Sequence, residues 1–216
     1  MNVFPISCGL GYAFLIEADH GLFLIDSGSP GNHKIILLKM KALGRKDLKL
    51  IIITHAHYDH YGSALALKNQ TKALIAAHPL DAGSMSKGHS PLGESRKHGF
   101  LFPPIQAILN RINPLPATPP DLYMQDGDSL NPFGLDAIVL HTPGHTLGHI
   151  SIILGNGTAF TGDLLGRVPS VKPQNLLAMD WGQIPASIQK LKNSNPTKIY
   201  TGHAALPIQG DQLNQI

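Results

Sequence analysis

The chain has 216 residues, 43% hydrophobic and 14% charged, with a formal net charge of +3. That composition supplies a buried core and excludes a disordered chain, and the length fits one domain spanning 1–216. The 17 Lys and Arg are scattered, with small groups at 39–49 and 96–98 and no basic stripe interleaved with aromatics, so no nucleic-acid partner is expected.

Cys8 is the single cysteine, which excludes an internal disulfide. The N-terminus lacks a signal-peptide pattern and no apolar run approaches the ~20 residues a membrane helix needs, so the expectation is a cytoplasmic protein with no membrane partner.

In chain order, residues 3–7, 12–18 and 21–26 are apolar, rich in β-formers and separated by Gly or Asp-His-Gly turns, which predicts three strands. Asp26-Ser27-Gly28-Ser29-Pro30-Gly31 breaks the pattern. Ile35, Ile36, Leu38 and Leu43 are then spaced as in an amphipathic helix over 32–43, closed by Gly44. Residues 48–53 form an Ile-rich run, expected of a strand buried on both faces. It releases Thr54-His55-Ala56-His57-Tyr58-Asp59-His60, and a helix over 62–69 and a strand over 72–77 follow.

Residues 81–120 differ in character. They are rich in Gly, Ser and Pro and carry exposed-looking Phe100, Leu101, Phe102, Ile105, Ile108 and Leu109. Only 103–112 reads as a short helix, with proline in its first turn. So long a loop region inside a domain reads as an insertion that serves as a lid over a site or as a homodimer interface through 100–112. Strands resume at 122–124 and 135–141, and 145–154 with 158–160 reads as a hairpin across Gly155-Asn156-Gly157. A helix over 181–192 and a strand over 198–201 complete a layered α/β pattern with mixed sheets.

The cluster after residue 53 concentrates neutral imidazoles and a carboxylate, ligands that suit zinc and related divalent metals. Three later turns repeat the construction: Thr142-Pro143-Gly144-His145, Thr161-Gly162-Asp163 and Thr201-Gly202-His203. In each, an apolar strand opens into a glycine turn and the ligand-type residue follows the glycine, which permits close backbone approach. His55, His57, Asp59, His60, His145, Asp163 and His203 together match the needs of two metals sharing a carboxylate and a water. His20, His33, His89 and His98 read as ordinary surface or core residues, whereas His78, His141 and His149 lie near the motifs and could support ligands.

The His55-Ala56-His57-Tyr58-Asp59-His60 pattern, followed by His145, Asp163 and His203, resembles the metallo-β-lactamase superfamily. The likeness runs from the paired N-terminal strands with Asp26 to the final Thr-Gly-His. It implies a four-layer αβ/βα sandwich of two mixed β-sheets with the site along one edge. It also implies one metal held by His55, His57 and His145 and another by Asp59, His60 and His203, with Asp163 bridging and Asp26 supporting the ligand loops. Zinc is the expected metal, with iron or manganese as alternatives. The activity implied is hydrolysis of a small-molecule ester, lactone or thioester by a bridging hydroxide, with Asp59 orienting or deprotonating the water.

Departures from particular branches narrow this expectation. His60 stands where Asp-Arg-Cys lactamases carry arginine, and Cys8 lies too early to be their cysteine ligand. Asp163 is similar to the bridging carboxylate of glyoxalase II and lactonase relatives, although the chain is too short for the helical C-terminal domain of glyoxalase II. The alternatives are a β-lactamase-like or phosphodiesterase activity, and an iron-dependent persulfide dioxygenase on the same fold.

Overall fold

The computed structural model describes residues 1–166 and 171–216. The three predicted N-terminal strands form an antiparallel meander of β1 (Asn2–Cys8), β2 (Gly11–Ala18) and β3 (Gly21–Ile25). Helix α1 (His33–Ala42) carries the chain back so that β4 (Leu48–Ile52) lies parallel to β3, an arrangement that requires such a crossover. A single turn, α2 (Tyr58–Tyr61), and helix α3 (Ala64–Thr71) lead in the same way to β5 (Leu74–Ala77), parallel to β4. Helix α4 (Pro79–Ser86), the two-residue β6 (Glu94–Ser95) and helix α5 (Phe102–Ile112) precede β7 (Leu122–Tyr123), which completes a six-stranded sheet of order β1-β2-β3-β4-β5-β7.

The second half builds the other sheet. β8 (Ala137–His141), β9 (Ile150–Leu154) and β10 (Thr158–Phe160) run antiparallel. A ribbon of β11 (Leu165–Gly166) and β12 (Lys172–Pro173) follows, and β13 (Leu177–Ala178) pairs back with β6. Helix α6 (Ile184–Asn193) then places β14 (Lys198–Tyr200) parallel to β10, and β15 (Ile208–Gln209) closes a five-stranded sheet of order β15-β14-β10-β9-β8.

Alternation along the strands decides the layers. On β2 and β3, Phe14, Ile16, Phe23 and Ile25 face the second sheet and meet Val139, Ile150, Ile152 and Phe160 there. The intervening Leu15, Leu22 and Leu24 face outward and are covered by Ile36 and Met40 of α1 and Leu67 of α3. On the far side, Ile184, Ile188 and Leu191 of α6 cover Ala159 and Ile199. The result is an α/β fold with helices on the outer face of each of two packed mixed sheets. Each fully buried Leu, Ile or Phe contributes on the order of 1.5–3 kcal/mol, which anchors the strand ends that carry the site.

Two expectations need correction. The segment 81–120 is largely helical, with α4, a 3-10 turn at Lys97–Leu101 and α5. Its Gly and Ser content reads as loop, but burial of Ala82 and Met85 overrides that propensity in α4. The predicted strand over 145–154 begins only at Ile150, because Ile150 N donates to Thr54 O and residues 145–149 turn around the site. No helix among the described residues is long and apolar enough to cross a membrane.

Candidate metal centre

Asp26, at the end of β3, organises the first ligand loop. It sits at φ +57°, a left-handed conformation that an aspartate adopts only when its surroundings hold it there. Its Oδ1 accepts from Thr54 N (2.8 Å), and its Oδ2 accepts from Thr54 Oγ1 (2.8 Å) and His60 Nδ1 (2.8 Å). Because Thr54 Oγ1 donates to Asp26, the same oxygen is left to accept from His55 Nδ1 at 3.0 Å. One carboxylate therefore fixes the ring tautomers of both His55 and His60.

The other three histidines are set by backbone carbonyls, which can only accept. His57 Nε2 donates to Pro91 O (2.6 Å), His145 Nδ1 to Leu177 O (3.0 Å) and His203 Nδ1 to Leu10 O (3.0 Å). The outward nitrogens so engaged leave His55 Nε2, His57 Nδ1, His60 Nε2, His145 Nε2 and His203 Nε2 facing inward, and His145 Nδ1 meets both the Leu177 carbonyl and the Gln174 amide N–H. His57 Nδ1 and His145 Nε2 stand 2.9 Å apart. Burial pushes the pKa of His57 down and those of His55 and His145 well down, which keeps these rings neutral, the form that ligates a metal. His55 Nε2, His60 Nε2 and Asp163 Oδ1 are buried with no hydrogen-bond partner. A cation satisfies all of them at once, so the donor set fits a metal.

The inward atoms fall into groups whose members lie within 4.8 Å of one another: His55, His57 and His145; His55, His60 and Asp163; and Asp59, His60 and His203. Asp163 links them. Its Oδ2 is 3.0 Å from His203 Nε2 and 3.6 Å from His145 Nε2, and its Oδ1 is 3.4 Å from His60 Nε2. Asp59 Oδ2 lies 3.7 Å from His203 Nε2 and 3.9 Å from His60 Nε2. All seven sequence-predicted residues therefore converge.

Electrostatics divides the cluster. Burial opposes charge on His60, but Asp163, Asp26 and Asp59 outweigh it and hold its pKa well above the usual range. Asp163 pushes half-exposed His203 up to about 9. Burial alone would raise Asp163, yet His203 and His60 hold it well below the carboxylate range. The two strand-end glycines nearest the centre are sterically required. A Cβ on Gly202 would lie 2.4 Å from Asp163 Oδ1 and 2.7 Å from His60 Cε1, and one on Gly162 would lie 2.7 Å from Thr54 Oγ1.

A further carboxylate escaped the sequence reading. Asp81, buried in α4, accepts from Ala56 N (2.8 Å) and Thr146 Oγ1 (2.7 Å) on Oδ2, and from Gly148 N (2.8 Å) on Oδ1. It ties the loop bearing His55 and His57 to the loop bearing His145. Burial pushes its pKa up against the pull of those three donors. Only its position just past an apolar strand hinted at this. Gln174 was also missed: its Nε2 lies 2.8 Å from His145 Nδ1. His149 is buried beside His55, with ring centroids 5.2 Å apart, and its Nδ1 is 2.9 Å from Thr142 Oγ1. His78 and His141 stack on each other at 4.0 Å and take no place in the ligand groups.

An αβ/βα sandwich with His and Asp groups able to hold a metal at its strand ends is the architecture of metallo-hydrolases. The chain belongs to the metallo-β-lactamase superfamily, whose profile matches residues 6–203. It is 32% identical over 200 residues to a hydroxyacylglutathione hydrolase of Aeromonas hydrophila, a match that covers 89% of this chain and only 60% of the relative. It is 35% identical over 169 residues to the hydroxyacylglutathione hydrolase GloC of Haemophilus influenzae, covering 76% of this chain and 69% of that one. A probable metallo-hydrolase of Methanocaldococcus jannaschii is 29% identical over 95% of this chain and 93% of its own length. Among solved structures, TTHA1623 in a di-iron-bound form superimposes with a TM-score of 0.73 at 25% identity, covering 99% of this chain and 98% of that one. The B3 metallo-β-lactamase BLEG-1 gives a TM-score of 0.76 at 22% identity over 100% of this chain and 96% of that one, a likeness of fold.

Proposed function

We propose that this protein is a metal-dependent hydrolase with two divalent cations, cleaving a small-molecule thioester. The observation that carries the reading is the convergence of five histidine rings and two carboxylates into overlapping groups of ligand-type atoms, with Asp163 close to ring nitrogens in both halves of the set. The hydroxyacylglutathione hydrolases among its relatives support a thioester in preference to the ester and lactone of the same reaction class. In this reading His55, His57 and His145 would hold one cation and Asp59, His60 and His203 the other, with Asp163 placed between the two groups.

Bound divalent cations supply a Lewis acid and a water acidified toward neutral pH. Asp59, partly exposed at the mouth, would orient such a water and take up its proton. Asp26 and the carbonyls of Leu10, Pro91 and Leu177 keep the rings from rotating or changing tautomer, so the donors need no rearrangement during reaction.

The test is metal content by mass spectrometry together with hydrolysis of a thioester, a lactone, a phosphodiester and a β-lactam by the same preparation. Two equivalents of metal and preferential thioester cleavage are expected. Cleavage of the phosphodiester or β-lactam alone, or no bound metal in an active protein, refutes the reading. The di-iron form of TTHA1623 favours one second reading, an iron-dependent oxygenase on the same ligands. Oxygen uptake with a persulfide, by iron-loaded protein inactive on thioesters, would establish that alternative.

A further inference from the structure

The basic group at residues 96–98 does not lie on a featureless face. The pairing of β6 with β13, and the bond from Arg96 N to Leu176 O at 2.8 Å, dock this segment onto residues 172–178. Gly99 makes the docking possible, because a Cβ there would lie 2.0 Å from Leu176 O. Between the two segments lies a cleft of about 330 Å³, lined by Arg96, Lys97, Gln174, Asn175 and Trp181 over an apolar floor that includes Ile184. That volume is in the range of small-molecule sites.

Four features of the cleft point to an anionic ligand. The Arg96 guanidinium is held over the Trp181 ring, 4.3 Å from its centroid, and neither Arg96 nor Lys97 has an ion-pair partner among the described residues. Lys97 occupies φ +51°, a conformation costly for a side-chain-bearing residue, which fixes the direction in which it leaves the chain. The indole Nε1 of Trp181 is buried and has no acceptor among the described residues. Ile184 and Pro185 at the cleft are the first residues of α6, where the helix presents its positive end and Gln183 provides no side-chain cap. Asp180, close in sequence, has its oxygens engaged by Gly182 N (2.8 Å) and Gln183 Nε2 (2.6 Å).

The cleft also communicates with the metal centre. Gln174 lines it with its Nε2 2.8 Å from His145 Nδ1, and Leu177, next to the residue that binds Arg96 N, has its carbonyl 3.0 Å from the same ring nitrogen. A ligand seated at Arg96 therefore has its remainder within a few residues of the reacting site. We propose that the cleft is a carboxylate-binding subsite that holds the charged tail of an acidic thiol whose thioester lies at the centre. The thioester part rests on the hydrolase reading proposed for the centre, whereas the carboxylate binding does not. A guanidinium held over an aromatic wall, with a lysine beside it in a cleft of small-molecule size, suits a compact carboxylate.

Trp181 is the only tryptophan of the chain, so its fluorescence reports the cleft alone. The metal-loaded protein is titrated with succinate, and with neutral succinamide at the same ionic strength. Succinate should give a saturable change that succinamide does not, and the apparent Kd should weaken about tenfold in Arg96→Gln and in Lys97→Gln, a loss typical of one charge-assisted bond. Both side chains are exposed, so the two variants should melt with the wild type. Equal responses to succinate and succinamide, or succinate binding unchanged in both variants, overturns the subsite.

In the kinetic arm, matched acyl thioesters of 3-mercaptopropionate and 3-mercaptopropionamide are compared. Arg96→Gln should raise KM about tenfold for the charged thioester, leaving kcat and the neutral thioester unchanged; equal effects on both refute the proposal. If neither thioester is cleaved while succinate still binds through Arg96, the hydrolase reading fails and the subsite stands.

Discussion

Replacement of Asp81 by asparagine tests whether a buried carboxylate outside the ligand set holds that set together. Asp81 receives two backbone N–H groups, from Ala56 and Gly148, on different oxygens, with Thr146 Oγ1 donating to one of them. An asparagine has one oxygen, so in either orientation its NH₂ faces one of those N–H donors. Thr146 can rotate to accept, but a backbone N–H cannot. Each hydrogen bond to a charged acceptor contributes about 1.5–3 kcal/mol, and relief from burying the charge offsets part of one such loss, so the net cost is about 2 kcal/mol. For a chain of this length that lowers Tm by about 4–8 °C.

The activity effect should exceed what stability alone accounts for. Ala56 lies between His55 and His57, and Gly148 lies in the turn that carries His145, so loosening the clamp shifts ligands relative to one another. Misplacement of about 1 Å can slow a reaction about 100-fold, and turnover at temperatures well below Tm should therefore fall by a factor of roughly 10 to 100. Thermal melts followed by circular dichroism and steady-state kinetics at about 20 °C below the variant's own Tm, both checked for metal content, decide the matter. A variant within about 0.5 kcal/mol of wild type and with unchanged turnover would refute the clamp.

Three other outcomes follow from the same geometry. Gly202→Ala places a methyl 2.4 Å from Asp163 Oδ1, so activity should drop about 100-fold with little loss of secondary structure, and retention of half the activity would show that Asp163 has no fixed role. Burial holds the pKa of His149 down at about 3, below the ~6.5 of an unfolded histidine, so the unfolded chain binds the extra proton between those values. The stability from neutral His149 is complete above about pH 6.5 and is lost as pH falls toward 3; urea melts at pH 7 and 4.5 should show a drop about 2–3 kcal/mol smaller in His149→Gln, and equal drops would contradict the assignment. On α5, Ile105 and Ile108 are already 48% and 60% exposed, so Ile105→Ser with Ile108→Ser should leave Tm within about 1 °C and raise KM for long acyl chains more than for short ones. An equal rise for both, accompanied by a halved sedimentation mass, would instead make α5 a dimer interface.

The ligand set was legible in the sequence because its chemistry is local. His55, His57, Asp59 and His60 leave the end of one strand within a single turn, and His145, Asp163 and His203 each follow a glycine, whose Cβ position at Gly162 and Gly202 is already occupied by the site and at Gly144 by Ile184. Buried strands were equally readable, since Phe14 to Ile16 and Leu22 to Ile25 are apolar on both faces of their sheet. The residues that orient the ligands were not legible. The partners of His57, His145 and His203 are the carbonyls of Pro91, Leu177 and Leu10, and any residue type offers a carbonyl. Nothing in the letters of positions 91, 177 or 10 records that they end up there.

Asp81 and the helix that carries it show the same limit from the other side. Pro79 opens α4 and His78 accepts from Leu80 N at 3.3 Å, which are helix-start signals, but Gly83 and Ser84 within the next turn outweigh them in any local count. The helix forms because Ala82 and Met85 are buried and because its aspartate meets two N–H groups 25 and 67 positions away. Those two N–H groups belong to the candidate ligand loops, and Asp81 is the acceptor that each of them meets. A segment whose composition reads as an insertion thus supplies the buried acceptor that the ligand loops require, and part of 81–120 belongs to the framework of the centre as firmly as the strands do.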